Sequence, residues 1–304
     1  MEAHDVIILG GGPAGMTAAL VAGRARLDAV IINEERPRNR VTKASHGFLT
    51  RDGIHPLDLL RIAKEQMQTY PSVTYRQGVA ESVQRTPDGF EVRLQGGAIH
   101  AAKRLVVATG CRDDLDAADI PALHQVYGTS VFPCPFCDGF EHRDQALAVF
   151  GCEGMEMFAP LLKQWSSDVH LFTNGRTPTA EALSALQEAG IPVHAARIQG
   201  LEHQDGVLVA VETADGRVPR EAGFIGDDLG VPATSFANDL GVGTKTNDWG
   251  MTVPDVDGSG GTHIPGLFVI GDARTGFSGL IAAAAEGEAC MSRIVHDLAM
   301  ERYA

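Results

Sequence analysis

Gly10-Gly11-Gly12-Pro13-Ala14-Gly15, set between an apolar run at residues 4–9 and a helix-forming run at 16–26, decides the fold class of this 304-residue chain. A buried strand, a glycine turn, a helix and a second apolar strand at 29–32 follow in the order of a dinucleotide-binding βαβ unit. Gly10 permits the tight turn, Gly12 lets the backbone approach a pyrophosphate, and Gly15 lets helix pack closely on strand. The phosphates then sit at the helix N-terminus, beside Pro13 and Ala14. An acidic residue about twenty positions on holds the adenosine ribose. Glu34 lies nineteen after Gly15 with Asn33 in the neighbouring register, and the spacing does not choose between them.

Length and composition narrow the class further. The chain exceeds what one ordinary core holds, so two domains are expected. It contains no run of about eighteen apolar residues and no basic, apolar leader, which points to a cytoplasmic protein without a membrane span. A formal net charge of −14 disfavours nucleic acid and anionic lipid as partners. Arg24, Arg26, Arg36, Arg38 and Arg40 form one local basic cluster, suited to a solvated face or to contacts with an anionic cofactor. Five cysteines, only two of them closely spaced, do not form a secreted disulfide framework, and Cys111, Cys152 and Cys290 read as buried fillers.

Two further apolar strands end in turns of cofactor-binding type, Leu105-Val106-Val107-Ala108-Thr109-Gly110 and Gly266-Leu267-Phe268-Val269-Ile270-Gly271-Asp272. With these in place the chain, from about residue 4 to 298, resembles the low-molecular-weight thioredoxin reductase family. The resemblance implies an α/β fold of two Rossmann-like domains, an FAD domain at 1–114 and 224–304 interrupted by a smaller, degenerate nucleotide-binding-like domain at 115–223. It also implies FAD embraced by Thr109, Gly110, Gly271 and Asp272, with Arg40, His46 and Ala80 near the cofactor. A closing helix at 279–300 would bring its positive end to the flavin. Gly279 stands where the family usually has glutamine, which leaves the Leu280 amide as the donor. A homodimer is expected on the same ground.

Within the insertion, Cys134-Pro135-Phe136-Cys137 places two thiols within one helical turn, close enough to form a disulfide reversibly. A structural zinc site would need a second ligand pair, and Asp138, His142 and Cys152 supply none at zinc-type spacing; no metal is expected. The resemblance assigns Cys137 to the flavin side, Cys134 to exchange with substrate, and Asp138 to acid–base work; a turn or cap carboxylate is the plainer reading of Asp138. Phe132, Phe136, Phe140, Trp249 and Phe277 are candidates for a pocket wall or for the core.

The second fingerprint is damaged. Gly151-Cys152-Glu153-Gly154-Met155-Glu156 puts Glu153 where the close-approach glycine belongs, so two carboxylates flank the pyrophosphate position. A like-charge contact at ~4 Å costs up to ~4 kcal/mol at intermediate dielectric. Thr173-Asn174-Gly175-Arg176 offers one arginine where the family's NADPH users carry a cluster. With flavin and dithiol motifs kept and nicotinamide motifs lost, the chain resembles the dithiol oxidases of gliotoxin and holomycin biosynthesis. That implies an FAD-dependent enzyme closing a disulfide in a small-molecule dithiol, with oxygen as acceptor, hydrogen peroxide as product and no NADPH. The alternatives are a disulfide reductase fed by ferredoxin or NADPH, and a flavin redox sensor without turnover.

Overall fold

The computed structural model describes residues 2–247 and 250–302. Trp249, a candidate for the pocket wall, lies outside the described residues. The chain divides into two compact units. The first comprises residues up to Arg40, Gly47–Arg112 and those from Gly230 on; the second comprises Val41–His46 and Asp113–Leu229.

In the first unit, β1 (Glu2–Leu9) leads through the glycine turn into α1 (Pro13–Arg24) and back to β2 (Ala29–Asn33). The helix begins at Pro13, three residues before the expected start, because proline's fixed φ suits the first helical position and its missing N–H costs nothing there. After α2 (Pro56–Met67) come β3 (Val73–Gln77), β4 (Ala80–Thr86), β5 (Gly89–Leu94) and β6 (Ile99–Val107). The sheet runs β3-β2-β1-β6-β5-β4. Its β1, β2, β3 and β6 pairings are parallel, β4–β5 and β5–β6 antiparallel, and the strand Leu267–Val269 joins β6 in parallel. Parallel strands covered on both faces need continuous apolar runs. Val6, Ile7, Ile8, Val30, Ile31, Leu105 and Val106 are accordingly fully buried. The closing helix, Leu280–Glu301, crosses α1 at Gly287, where an added Cβ would lie 2.1 Å from the Ala14 carbonyl oxygen.

The second unit holds a five-stranded parallel sheet in the order 193–194, 169–172, 147–150, 222–225, 131–132, and a three-stranded antiparallel sheet of 198–204, 207–213 and 216–219. The strand Ala222–Ile225 pairs with Leu147–Phe150, so the second unit runs on to Leu229 and an end at Gly223 would cut through its sheet. The helix after the second fingerprint is Met155–Leu161 only, followed by a tighter turn at Leu162–Gln164. Pro160 lies inside it and has no N–H to donate to the preceding turn.

Candidate functional site

The fingerprint of the first unit forms an open cradle. Gly10 has φ +102°, and an added Cβ would meet the Ala108 carbonyl oxygen at 2.3 Å; at Gly15 a Cβ would lie 1.9 Å from the Gly10 oxygen. Glycine is therefore required at both. Around Gly12, which caps α1, a Cβ would meet nothing within 4 Å. The backbone there is exposed to whatever occupies the loop, next to helix amides that have no acceptor within the helix.

At the end of β2 the two ribose candidates separate. Asn33 is buried against the loop: its Oδ1 accepts from the Gly11 and Glu35 amides at 3.2 and 3.1 Å, and its Nδ2 donates to Tyr75 Oη at 2.9 Å. Glu34 points to solvent and pairs with Arg36 at 3.2 Å. Glu35 turns to Lys64 and Tyr75, whose hydrogen bonds hold its carboxyl below the usual range, while burial and the Glu35 contact push Tyr75 up to about 12.

Elsewhere in this unit, Thr109 Oγ1 meets Thr234 Oγ1 at 2.9 Å, and the Gly110 carbonyl accepts from the Ala233 amide. The Gly271 amide donates to Glu286 Oε2 at 2.7 Å. Asp272 Oδ1 accepts from the amide and hydroxyl of Ser278 at 2.9 and 2.8 Å, and Arg38 stands 3.6 Å from its Oδ2. Cys111 is buried as expected, yet its thiol is engaged: Arg38 Nη1 lies 2.9 Å from the sulfur, which donates to the Gly276 oxygen at 2.8 Å. Arg38 also covers the half-exposed Phe277 ring, at 4.9 Å from its centroid. Gly279 caps the 22-residue closing helix and Leu280 opens it. Ala80 starts β4 opposite Leu94, and the exposed Arg40 donates to the Pro37 oxygen.

In the second unit the thiol motif bends into the short helix Pro135–Asp138, closed by bonds from the Cys137 and Asp138 amides to the Cys134 oxygen. Cys134 is 8% exposed, whereas Cys137 is more open. Asp138, in the last position of that turn, is half-buried and its pKa is pushed up to about 7, first by burial and then by negative charge on Cys134 and Glu141, against the opposing effect of His46. His46 itself lies 3.6 Å from Glu141. His142 is not part of this group; it bonds Gln145 and packs on the buried Phe132. Phe136 and Phe140 are exposed, the former edge-on to Trp165.

The damaged fingerprint is occupied from within. Asp227, one residue past Gly226 at the end of the 222–225 strand, accepts from the Cys152 amide at 3.2 Å and pairs with Arg176 through its other oxygen. Asn174 is used up structurally, donating to the Asp119 oxygen and accepting from the Ile198 amide. Glu153 stands exposed beside the same turn. Asp227 was not among the sequence-derived candidates, although a Gly-Asp pair ending a strand is the same pattern that marks Gly271-Asp272.

Residues 4–287 match the family described as Pyridine nucleotide-disulphide oxidoreductase. A probable thioredoxin reductase of Arthroderma benhamiae is 31% identical over 185 residues, 59% of this chain and 45% of that protein, so the chain matches less than half the length of this relative. Among solved structures, a putative thioredoxin reductase TrxB from Bacillus anthracis superposes with a TM-score of 0.91 at 32% identity, covering 98% of this chain and 99% of the other. HlmI superposes with a TM-score of 0.91 at 33% identity over 99% and 94%.

Proposed function

The chain belongs to the pyridine nucleotide-disulphide oxidoreductase family, with a thioredoxin reductase-like fold, and from that premise we propose that it is an FAD-dependent dithiol oxidase that closes a disulfide in a small-molecule dithiol without NADPH. The observation that carries this reading is the pair of opposite outcomes at the two fingerprints. The Gly12 loop is open and suits a pyrophosphate, whereas at Gly151–Glu153 the anion position is taken by the carboxylate of Asp227, with the one available arginine committed to it.

Gly10, Gly12, Pro13, Ala14, Gly15, Thr109, Gly110, Gly271 and Asp272 fit the cofactor, and Gly279 and Leu280 supply a helix N-terminus to it. Asn33 is the side chain that reaches the loop; Glu34 is turned away. When bound, FAD would accept the electron pair of the Cys134/Cys137 dithiol and pass it to oxygen, giving hydrogen peroxide. The chain's own part is thiol exchange and proton handling. A substrate thiolate attacks the Cys134–Cys137 disulfide at Cys134, forming a mixed disulfide and releasing the Cys137 thiolate. The second substrate thiol then attacks the mixed disulfide, so the substrate leaves as a disulfide and both enzyme sulfurs are reduced. Asp138 takes the proton released by the substrate. Because negative charge on Cys134 raises the carboxyl's pKa, proton uptake strengthens as the thiolate appears.

Anaerobic titration of the flavin-loaded protein tests this reading. Dithiothreitol alone should bleach the flavin, and air should restore it, with peroxide formed. Prompt bleaching by one equivalent of NADPH would instead establish an NADPH-dependent disulfide reductase.

A further inference from the structure

At the opposite end of the first unit's sheet from the glycine turn, the beginnings of β1 and β6 bring together side chains that the redox chemistry does not use. Period-two alternation puts Glu2 and His4 on one face of β1, and the parallel register sets His100 of β6 opposite Glu2. His4 Nε2 lies 3.3 Å from His100 Nδ1, and Glu2 Oε2 lies 3.9 Å from the former and 3.7 Å from the latter. Among the described residues this is the one group of three metal-ligating side chains whose donor atoms lie so close together.

We propose that Glu2, His4 and His100 form a binding site for a zinc-class divalent cation. The three donor atoms define a triangle with sides of 3.3, 3.7 and 3.9 Å, whose corners are all about 2.1 Å from its centre, the length of a Zn–N or Zn–O bond. Tetrahedral ligands on zinc stand about 3.4 Å apart, so the carboxylate needs to close by only a few tenths of an ångström. Glu2 is free to do so, since its side chain is 57% exposed, whereas the two imidazoles are fixed, with side chains 8% and 4% exposed.

A second contact has the form expected around a metal. His4 Nδ1 lies 3.0 Å from Asp28 Oδ1, so the ring donates there and presents the Nε2 lone pair toward His100 and Glu2. A carboxylate behind the ligating imidazole fixes its tautomer and raises its basicity. The other Glu2 oxygen lies 3.6 Å from Arg76, a contact that leaves Oε2 for the cation. Two nitrogens and one carboxylate suit zinc, and equally cobalt or nickel, better than calcium or magnesium, which take oxygen ligands. The fourth position falls to water. His4 is six residues from Gly10 along an extended strand, roughly 20 Å, so the cation would tie the start of β1 to β6 and take no part in electron transfer.

Equilibrium dialysis of the untagged, flavin-loaded protein against zinc chloride tests the site, with Cys134 and Cys137 first oxidised by diamide to remove the dithiol as a competing ligand. One zinc per chain is expected at micromolar free metal, with a rise in melting temperature. Glu2→Gln and His100→Asn should each lower zinc affinity at least tenfold, and Asp28→Asn, which touches no metal, by 10–100-fold. Failure of the wild type to retain zinc, or retention undiminished in both ligand variants, would overturn the proposal. Should His100→Asn fail to fold, Glu2→Gln decides alone, because its exposed side chain can be changed without disturbing the core.

Discussion

Replacing Asp138 by asparagine separates its proton chemistry from its place in the fold. In the wild type the carboxyl titrates near pH 7, because burial and the charge on Cys134 and Glu141 resist its ionisation. A base with this pKa is progressively lost below neutrality, so dithiol-driven flavin reduction should fall tenfold per pH unit below about 7 and level off above it. In Asp138→Asn that inflection should vanish, leaving only the rise set by the substrate thiols near pH 8–9, and the rate at pH 8 should drop about 10²-fold. The same variant carries an opposite signature in stability. A carboxyl whose folded pKa is raised destabilises the fold progressively as pH climbs from its unfolded value, 3.8, to its folded value, about 7. That shift corresponds to ~4 kcal/mol at full burial, and to about 2 kcal/mol for a half-buried group. Asparagine mimics the protonated form, so the stability of the variant relative to the wild type should grow by about 2 kcal/mol between pH 4 and pH 8 and then stay constant. Anaerobic stopped-flow reduction by dithiothreitol gives the rates, and denaturant unfolding across the same pH range gives the stabilities. A variant that keeps the inflection near pH 7, or whose relative stability does not change with pH, would show that Asp138 is a turn carboxylate and not the base.

Cys134→Ser and Cys137→Ser should each reduce dithiol-driven bleaching to about 1% or less, and after mixing with a linear small-molecule disulfide such as hydroxyethyl disulfide, whose other half leaves as the thiolate, mass spectrometry should find a mixed disulfide on Cys134 in the Cys137→Ser protein only. Since Cys137 is the more exposed of the two sulfurs, an adduct on Cys137 in the Cys134→Ser protein would exchange their roles. Gly12→Ala should fold normally, because no atom lies within 4 Å of the new Cβ, but retain FAD at least tenfold more weakly, as read by the flavin-to-protein ratio. Gly15→Ala should destabilise the apoprotein as well, by about 1–3 kcal/mol in denaturant unfolding, through its overlap with the Gly10 oxygen. Asp227→Ala should tighten NADPH binding about fivefold in calorimetry, the effect of removing roughly 1 kcal/mol of repulsion, and an unchanged affinity would mean that the carboxylate does not hold the anion position.

The first unit was legible because its signals are local. Strand, glycine turn and helix are contiguous, and the reasons for Gly10 and Gly15 are contacts with nearby or directly paired backbone. The choice between Asn33 and Glu34 was not legible, because it turns on Tyr75, more than forty residues away, whose hydroxyl draws the Asn33 amide toward the loop. The boundary of the second unit was not legible either, because it depends on which sheet the 222–225 strand joins, a long-range pairing with no signature in its own residues.

The two Gly-Asp turns make the same point about function. Gly226-Asp227 and Gly271-Asp272 are alike in sequence, and each follows a buried strand. Asp272 is held by Ser278 and faces Arg38, and the Gly12 loop of its unit stays open. Asp227 has Arg176 and the Cys152 amide as partners instead, and its oxygen lies 3.2 Å from the Cβ position of Gly151, across the turn where a phosphate would sit. Changing Glu153 back to glycine would therefore not restore that half of the nucleotide site, because the carboxylate bound to the turn amide would remain. On the function proposed above, loss of the nicotinamide site would rest on an internal anion as well as on the damaged glycine motif, and the two would have to be reversed together.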